Sequence, residues 1–268
     1  MRSTLPILAL AAGLIAAPRP SAADGGGPGF ATALDVGFGG VDEDGFVLVT
    51  AEQAIEWGAF GAVVGAPLRL RVIDRAPTER GVVREQDWDE PSDFAHVARR
   101  VWVHHRWGDG ELRIDLGELN GVGVGHGAVF DRYYNSTDMD HYQGGVAALF
   151  DHAGTGAEIL VEDVVAPEIL GGRLHAAPLA WFLDGDWPRR FEIGFTAAVD
   201  RAAPRQVFTT GQTRRRETAI SVVGGDVSVR LIDASRVRLT PYVDLLGMDG
   251  EPGLHAGIAS AFALSEKN

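Results

Sequence analysis

The chain has 268 residues, with 24 basic and 37 acidic side chains, a formal charge of −13, and no cysteine. That balance makes nucleic acid a poor partner, and the missing thiols exclude a disulfide framework, a thiolate metal site and a lipid-modified N-terminal cysteine.

Residues 1–23 read as an export signal. Arg2 supplies the basic start, Leu5 to Ala17 form an apolar core of 13 residues, and Ser21-Ala22-Ala23 supply the small-residue cleavage site. Such a core is too short to cross a bilayer as a helix. Its removal leaves 22 basic residues against 37 acidic, a formal charge of −15. Residues 24–29 are a glycine-rich linker, and 30–268 have the length of one all-β domain.

Beyond the linker the recurring pattern is strict alternation. Phe60, Ala62, Val64, Ala66, Leu68, Leu70 and Val72 share one parity, and Arg69 and Arg71 lie on the other. Leu112, Ile114 and Leu116 oppose Arg113 and Asp115 in the same way. Phe191, Ile193, Phe195, Ala197 and Val199 oppose Glu192, Gly194, Thr196, Ala198 and Asp200. Val223, Val227, Val229 and Leu231 oppose Asp226, Ser228 and Arg230. Val237, Leu239, Val243 and Leu245 oppose Arg238, Thr240, Tyr242 and Asp244, and Leu254, Ile258, Phe262 and Leu264 oppose His255, Gly257, Ala259 and Ala261. Side chains two apart share a face of a strand, so each segment has one apolar face and one polar face.

With the less regular segments 30–39, 46–57, 94–107, 142–152, 156–165 and 169–182, these runs predict about twelve strands, each near the length that crosses a bilayer at a tilt. Tight joints at Trp57-Gly58-Ala59, Ala153-Gly154-Thr155 and Asp233-Ala234-Ser235 contrast with long polar links from Arg75 to Asp93, Phe130 to His141 and Arg201 to Glu217. Short turns on one rim and long loops on the other suit an outer-membrane barrel, although a Greek-key sandwich also mixes them. No stretch carries a sustained helical period.

The polar parity mixes glycine and alanine with charges of both signs: Arg69, Arg71, Arg113, Asp115, Glu158, Glu162, Arg173, Glu192, Asp226, Arg230, Arg238 and Asp244. A narrow barrel lumen wants that mixture, since small residues make room and opposite charges pair instead of lying desolvated and alone. Trp57, Phe60, Trp107, Tyr142, Trp181, Phe182, Trp187 and Phe191 fall near strand ends, where a membrane interface favours rings with a polar edge.

The dyad pattern as a whole resembles the porin-like outer-membrane β-barrels of Gram-negative bacteria. The stretches GELNGVGVGHGAVFDRYYNSTDMDHYQGG (117–145) and EILVEDVVAPEILGGRLHAAPL (158–179) are similar to uncharacterised members of that class. Barrels of this class usually end in an aromatic residue, whereas the sequence here ends Ser265-Glu266-Lys267-Asn268, so either Phe262 and Leu264 serve with a short tail or the sequence is an incomplete chain.

The remaining motifs are weaker. Gly121, Gly123, Gly125 and Gly127 suggest a phosphate loop only superficially, because Val122 and Val124 continue a strand; a bare strip against which neighbouring backbone packs fits better. Asp131, Asp138, Asp140 and His141 form an acidic cluster without the ordered spacing of a calcium loop. For a lipase reading, His126 and Ser136 are close in sequence but not in a recognisable motif, and the lipase-type His-x-Ser-Asn-Gly run is absent. His96, His104 and His105 lie beside Arg99, Arg100 and Arg106, and Arg214-Arg215-Arg216 could meet lipopolysaccharide phosphates.

The expectation is therefore an all-β, antiparallel, up-and-down transmembrane β-barrel of about 12 strands in the outer membrane. Outer-membrane lipid is its partner and small polar solutes are its possible cargo; no catalytic residue, cofactor or metal site is assigned. The rivals are an exported soluble β-sandwich or barrel that binds carbohydrate or lipid, and an outer-membrane lipid hydrolase.

Overall fold

The computed structural model describes residues 28–41, 44–75, 81–88, 97–135, 143–209, 212–234 and 237–262, and the expected signal segment lies outside them. The strands are β1 (Gly29–Val41), β2 (Asp44–Trp57), β3 (Phe60–Ile73), β4 (Arg100–Trp107), β5 (Gly110–Gly117), β6 (Asn120–Val124), β7 (Phe130–Tyr134), β8 (Gly145–His152) and β9 (Thr155–Val161). They continue with β10 (Ile169–Ala176), β11 (Phe191–Asp200), β12 (Pro204–Thr209), β13 (Gln212–Glu217), β14 (Ile220–Val229), β15 (Ile232–Asp233), β16 (Val237–Met248) and β17 (Glu251–Phe262).

Thirteen of them form one antiparallel sheet in the order β1-β2-β3-β4-β5-β8-β9-β10-β11-β14-β16, with β17 and the two-residue β15 both on β16. Sequential neighbours pair throughout, which is the up-and-down connectivity that short joints dictate. Among the described residues β1 pairs only with β2 and β17 only with β16. The all-β antiparallel sheet stands; its closure into a barrel is taken up below as a proposal.

The described residues fall into two compact units, 28–103 and 104–262. In the first, β2 and β3 run in register from Trp57↔Phe60 to Phe46↔Arg71 across a tight turn at Gly58, and a bulge shifts the last pair to Gly45↔Ile73. Residues 82–84 then add to the far end of β3, where Arg71 N donates to Val82 O at 2.7 Å and Arg84 N to Arg69 O at 3.0 Å. In the second unit, β8 and β9 close through Ala153 and Gly154, both in the left-handed region, and β16 and β17 close at the opposite rim through Asp249 and Gly250.

Several expected elements differ. The strand at 169–182 stops at Ala176, because Pro178 has no N–H for the ladder and instead opens a 3-10 turn over Pro178–Trp181. Of the expected 94–107 strand, β4 takes only the part from Arg100. The polar link 201–217 contains the β12–β13 hairpin, built where Val207, Phe208 and Thr209 supply strand-forming residues inside a run that composition alone marks as loop. The link after β5 holds a second hairpin, β6–β7, outside the main sheet.

That second hairpin holds the apolar core of its unit. Leu119, Val124 and Phe130 are buried with Ala147 of β8 and Leu160 of β9, and Val122, Val129, Tyr133, Ile169 and Ala198 pack around them. Leu160 is fully buried. It lies on the charged face of β9, where the hairpin covers it, whereas Ile159 on the other face is half exposed. The hairpin thus lies on the polar side of the sheet.

Candidate functional site

The two faces of the sheet are inverted relative to a water-soluble one. In β11, Ile193, Phe195 and Ala197 are exposed while Glu192, Gly194, Thr196 and Ala198 are less so. In β14 and β16, Val223, Val227, Val243 and Leu245 are exposed and Asp226, Ser228 and Asp244 are buried. Phe30, Leu34, Val36 and Phe38 of β1, with Phe60, Val64, Leu68 and Val72 of β3, repeat the rule in the first unit.

On the charged face, register sets the neighbours. One lateral row runs Asp151↔Gly156↔His175↔Gly194↔Asp226↔Asp244↔His255, through six consecutive antiparallel pairings. The adjacent row pairs Glu158 with Arg173. Arg173, 4% exposed at its side chain, reaches Asp226 through Nε at 3.0 Å and Nη2 at 2.7 Å, Glu192 through Nη2 at 2.7 Å and Glu158 through Nη1 at 3.2 Å. Gly194 opens the way: a Cβ there would sit 2.6 Å from Arg173 Nε and against the Asp226 carboxylate. One planar cation with fork-like donors thereby answers carboxylates on three other strands.

Two further pairs extend the row. His175 Nε2 meets Asp151 Oδ2 at 2.8 Å, and His255 Nδ1 meets Asp244 Oδ2 at 2.7 Å. The β6–β7 hairpin lies over this face. Gly125 and Gly127 take φ +59° and +80°, a turn that Gly127 N closes on Val124 O at 3.1 Å, and it presents His126 to the sheet. Gly125 N donates to Glu158 Oε2 at 2.8 Å, and the His126 ring stacks on Tyr242 with centroids 4.4 Å apart.

At its base the hairpin is clasped by Asn135, which is 1% exposed. Leu119 N donates to Asn135 Oδ1 at 2.7 Å, and Nδ2 donates toward Gly117 O, Gln143 O and Glu162 O at 3.1, 2.8 and 3.0 Å. Nearby, burial first, and then the charge and hydrogen bond of Glu162, pushes the Tyr133 phenol up, so it stays neutral.

Clefts lie on both sides of the hairpin. One, of about 720 Å³, is lined by His126, Asp151, Arg173, His175, Glu192 and Arg230; the other, of about 500 Å³, by Gly121 to Gly125 with Arg113 and Asp115. Glu158 borders both.

The structure brings together four of the charges singled out from the sequence, Glu158, Arg173, Glu192 and Asp226, with Asp244 beside them. Glu162 is buried and accepts from Ile169 N at 3.1 Å. Asp115 meets His104 at 3.2 Å, Arg113 meets Glu111 at 3.0 Å, and Arg230 and Arg238 both face Asp233, at 3.5 and 3.2 Å. Arg69 and Arg71 belong to the other unit, where Arg69 pairs with Asp87 and Arg71 with Asp44 at 3.0 Å. His126, His175, Asp151 and His255 complete the row and were not singled out for it. The parity shared by Arg173 and His175 carried the signal for one of them.

Other motifs disperse. His104 and His105 point to opposite faces of β4, the latter stacked on Trp107 at 5.5 Å, and His96 lies outside the described residues. Asp131 is exposed and paired with Arg132; Asp138, Asp140, His141 and Ser136 lie outside the described residues. The glycine strip is the β6–β7 hairpin, with neither a following helix nor a phosphate cradle.

The site is thus the charged face of an antiparallel all-β sheet, covered by a hairpin. No protein-family model, curated protein or solved structure matches the chain.

Proposed function

We propose that the sheet closes into an outer-membrane β-barrel whose exposed apolar face meets lipid and whose charged face lines a narrow polar interior. The observation that carries this reading is the inversion itself: buried carboxylates and arginines on one face, and exposed phenylalanine, leucine and valine on the other. In water such a face would be a continuous apolar patch far larger than soluble proteins tolerate; in hydrocarbon it is the solvated side. Extended strands satisfy their backbone groups in a bilayer only when no edge is left unpaired, which supports closure. The export signal supports an outer-membrane address.

The interior serves small polar solutes or none. The β6–β7 hairpin fills part of the space beside β8 and β9, so the intact protein conducts weakly. Fractionation of cells, with a gel comparing boiled and unboiled samples, tests the barrel: the expected result is an outer-membrane protein that migrates faster before boiling. A protein that stays soluble without detergent would defeat the reading. Planar-bilayer recording tests the interior, since replacing residues 121–133 with a short turn is expected to raise conductance several-fold. Equal, negligible conductance in both forms would remove the pore while leaving the barrel.

A further inference from the structure

We propose that His126, Asp226 and Asp244 hold a first-row divalent metal ion that pins the tip of the β6–β7 hairpin to the wall of the sheet. One ligand atom from each residue lies within 4.8 Å of the other two, and both aspartates are buried. The three come from different elements: the hairpin turn, β14 and β16. The inference stands on the hairpin and the sheet face, whether or not that sheet lies in a membrane.

A second observation points to a ligand. His126 Nε2 is buried and makes no hydrogen bond, and the closest carboxylate oxygen, Asp226 Oδ1, is 3.4 Å away. That is too long for a good bond between the two, yet a tetrahedral ion with ligands about 2 Å distant needs donors about 3.3 Å apart. The turn is built to place this nitrogen: glycines with positive φ flank His126, and Tyr242 stacks against its ring. Asp244 needs only a small swing to bring its oxygen from within 4.8 Å to the same spacing.

Charge argues the same way. Arg173 is shared among Glu158, Glu192 and Asp226, while among the described residues the ion-pair partner of Asp244 is the imidazole of His255. Two aspartates directly opposite each other on β14 and β16 repel, and a dication between them removes that cost. The ion uses the lone pair of Asp226 Oδ1 that Arg173 leaves open, because a carboxylate has about four such sites. His255, donating to Asp244 Oδ2, orients that ligand from behind, as outer partners of metal-bound carboxylates do. One imidazole with two carboxylates suits zinc or manganese better than calcium, which takes six to eight oxygens.

The probe is Zn²⁺ added to the full chain, folded in detergent and stripped with chelator, with binding measured by calorimetry and metal content after gel filtration. The expected result is one Zn²⁺ per chain, weakened at least tenfold by His126→Ala and by Asp244→Asn and unaltered by His104→Ala. His126 stands on a hairpin outside the sheet, so His126→Ala alone carries the test if Asp244→Asn fails to fold. Co²⁺ provides a second readout, visible absorption from nitrogen and oxygen ligands that His126→Ala abolishes. Failure of the folded wild-type chain to retain Zn²⁺, or equal retention by His126→Ala, would overturn the site. Because binding is read in detergent, neither result bears on conductance or on membrane insertion.

Discussion

Phe195 and Phe60 have the same side chain and similar exposure, 54% and 62%, but they occupy different places along their strands. Phe60 opens β3 beside a tight turn, whereas Phe195 is the fifth of the ten residues of β11. Ten residues at a rise of about 3.4 Å, tilted by about 45°, span roughly 24 Å, close to the apolar band of a transmembrane barrel. In the proposed bilayer-spanning sheet Phe195 would lie about 10 Å below one interface, near the midplane, and Phe60 would lie at an interface. Arginine on the lipid face costs about 2–4 kcal/mol at the midplane and about 0–1 near the rim. Phe195→Arg should therefore destabilise by about 2–3 kcal/mol more than Phe60→Arg, although both lose the same ring. With a urea slope of about 2 kcal/mol/M, the unfolding midpoint of the vesicle-bound protein falls by about 1–1.5 M more, followed by tryptophan fluorescence. In water the two changes would be alike, each within about 0.5 kcal/mol. Equal shifts for the two variants would refute lipid as the solvent of this face.

Arg173→Met leaves Glu158, Glu192 and Asp226 facing one another without their shared cation, and urea unfolding should show a loss of about 3–5 kcal/mol; adding Asp226→Asn should recover part of it, and strict additivity would contradict the shared-cation geometry. Asn135→Leu strands the buried Leu119 N–H and the carbonyl oxygens at the hairpin base, at a cost of about 2–3 kcal/mol. Its amide exchange should accelerate first across β6 and β7, and uniform acceleration through the sheet would argue against a local clasp.

The faces of the strands were legible because alternation is a property of neighbours in sequence. Glu192 and Phe195 declare opposite sides of β11 without any knowledge of β10 or β14. What pairs with what was not legible. Arg173 and Asp226 are 53 positions apart, and their meeting depends on the registers of β10 with β11 and of β11 with β14. His126 was harder still, since it reaches the row from a hairpin that leaves the sheet and returns over it. Asp44 and Asp87, the partners of Arg71 and Arg69, stand at a strand start and in a short 3-10 turn, outside the alternating runs. The glycine strip announced close approach of backbone but not its direction. His175 was within reach, because it shares parity with Arg173 on β10, and His255 stood on the polar parity of its own strand.

If the charged face lines a barrel interior, as proposed, the shared guanidinium says something about what that interior is for. Replacing a buried ion cluster with well-fitted apolar side chains is often neutral or stabilising, so a structure that needed only a filled centre would gain nothing from Arg173 and its three carboxylates. Such a cluster is inexpensive where water reaches its flanks, and polar clefts of about 720 and 500 Å³ lie on either side of the hairpin. The hairpin meets these clefts with backbone N–H and imidazole, and it buries Leu119 at its base and Val124 and Phe130 beside its turn in one cluster with Ala147 and Leu160. Asn135 fixes the base, while the turn is held by the hydrogen bond of Gly125 to Glu158, by the stacking of His126 on Tyr242 and by the burial of Val124 and Phe130, so displacing the turn costs apolar as well as polar contacts.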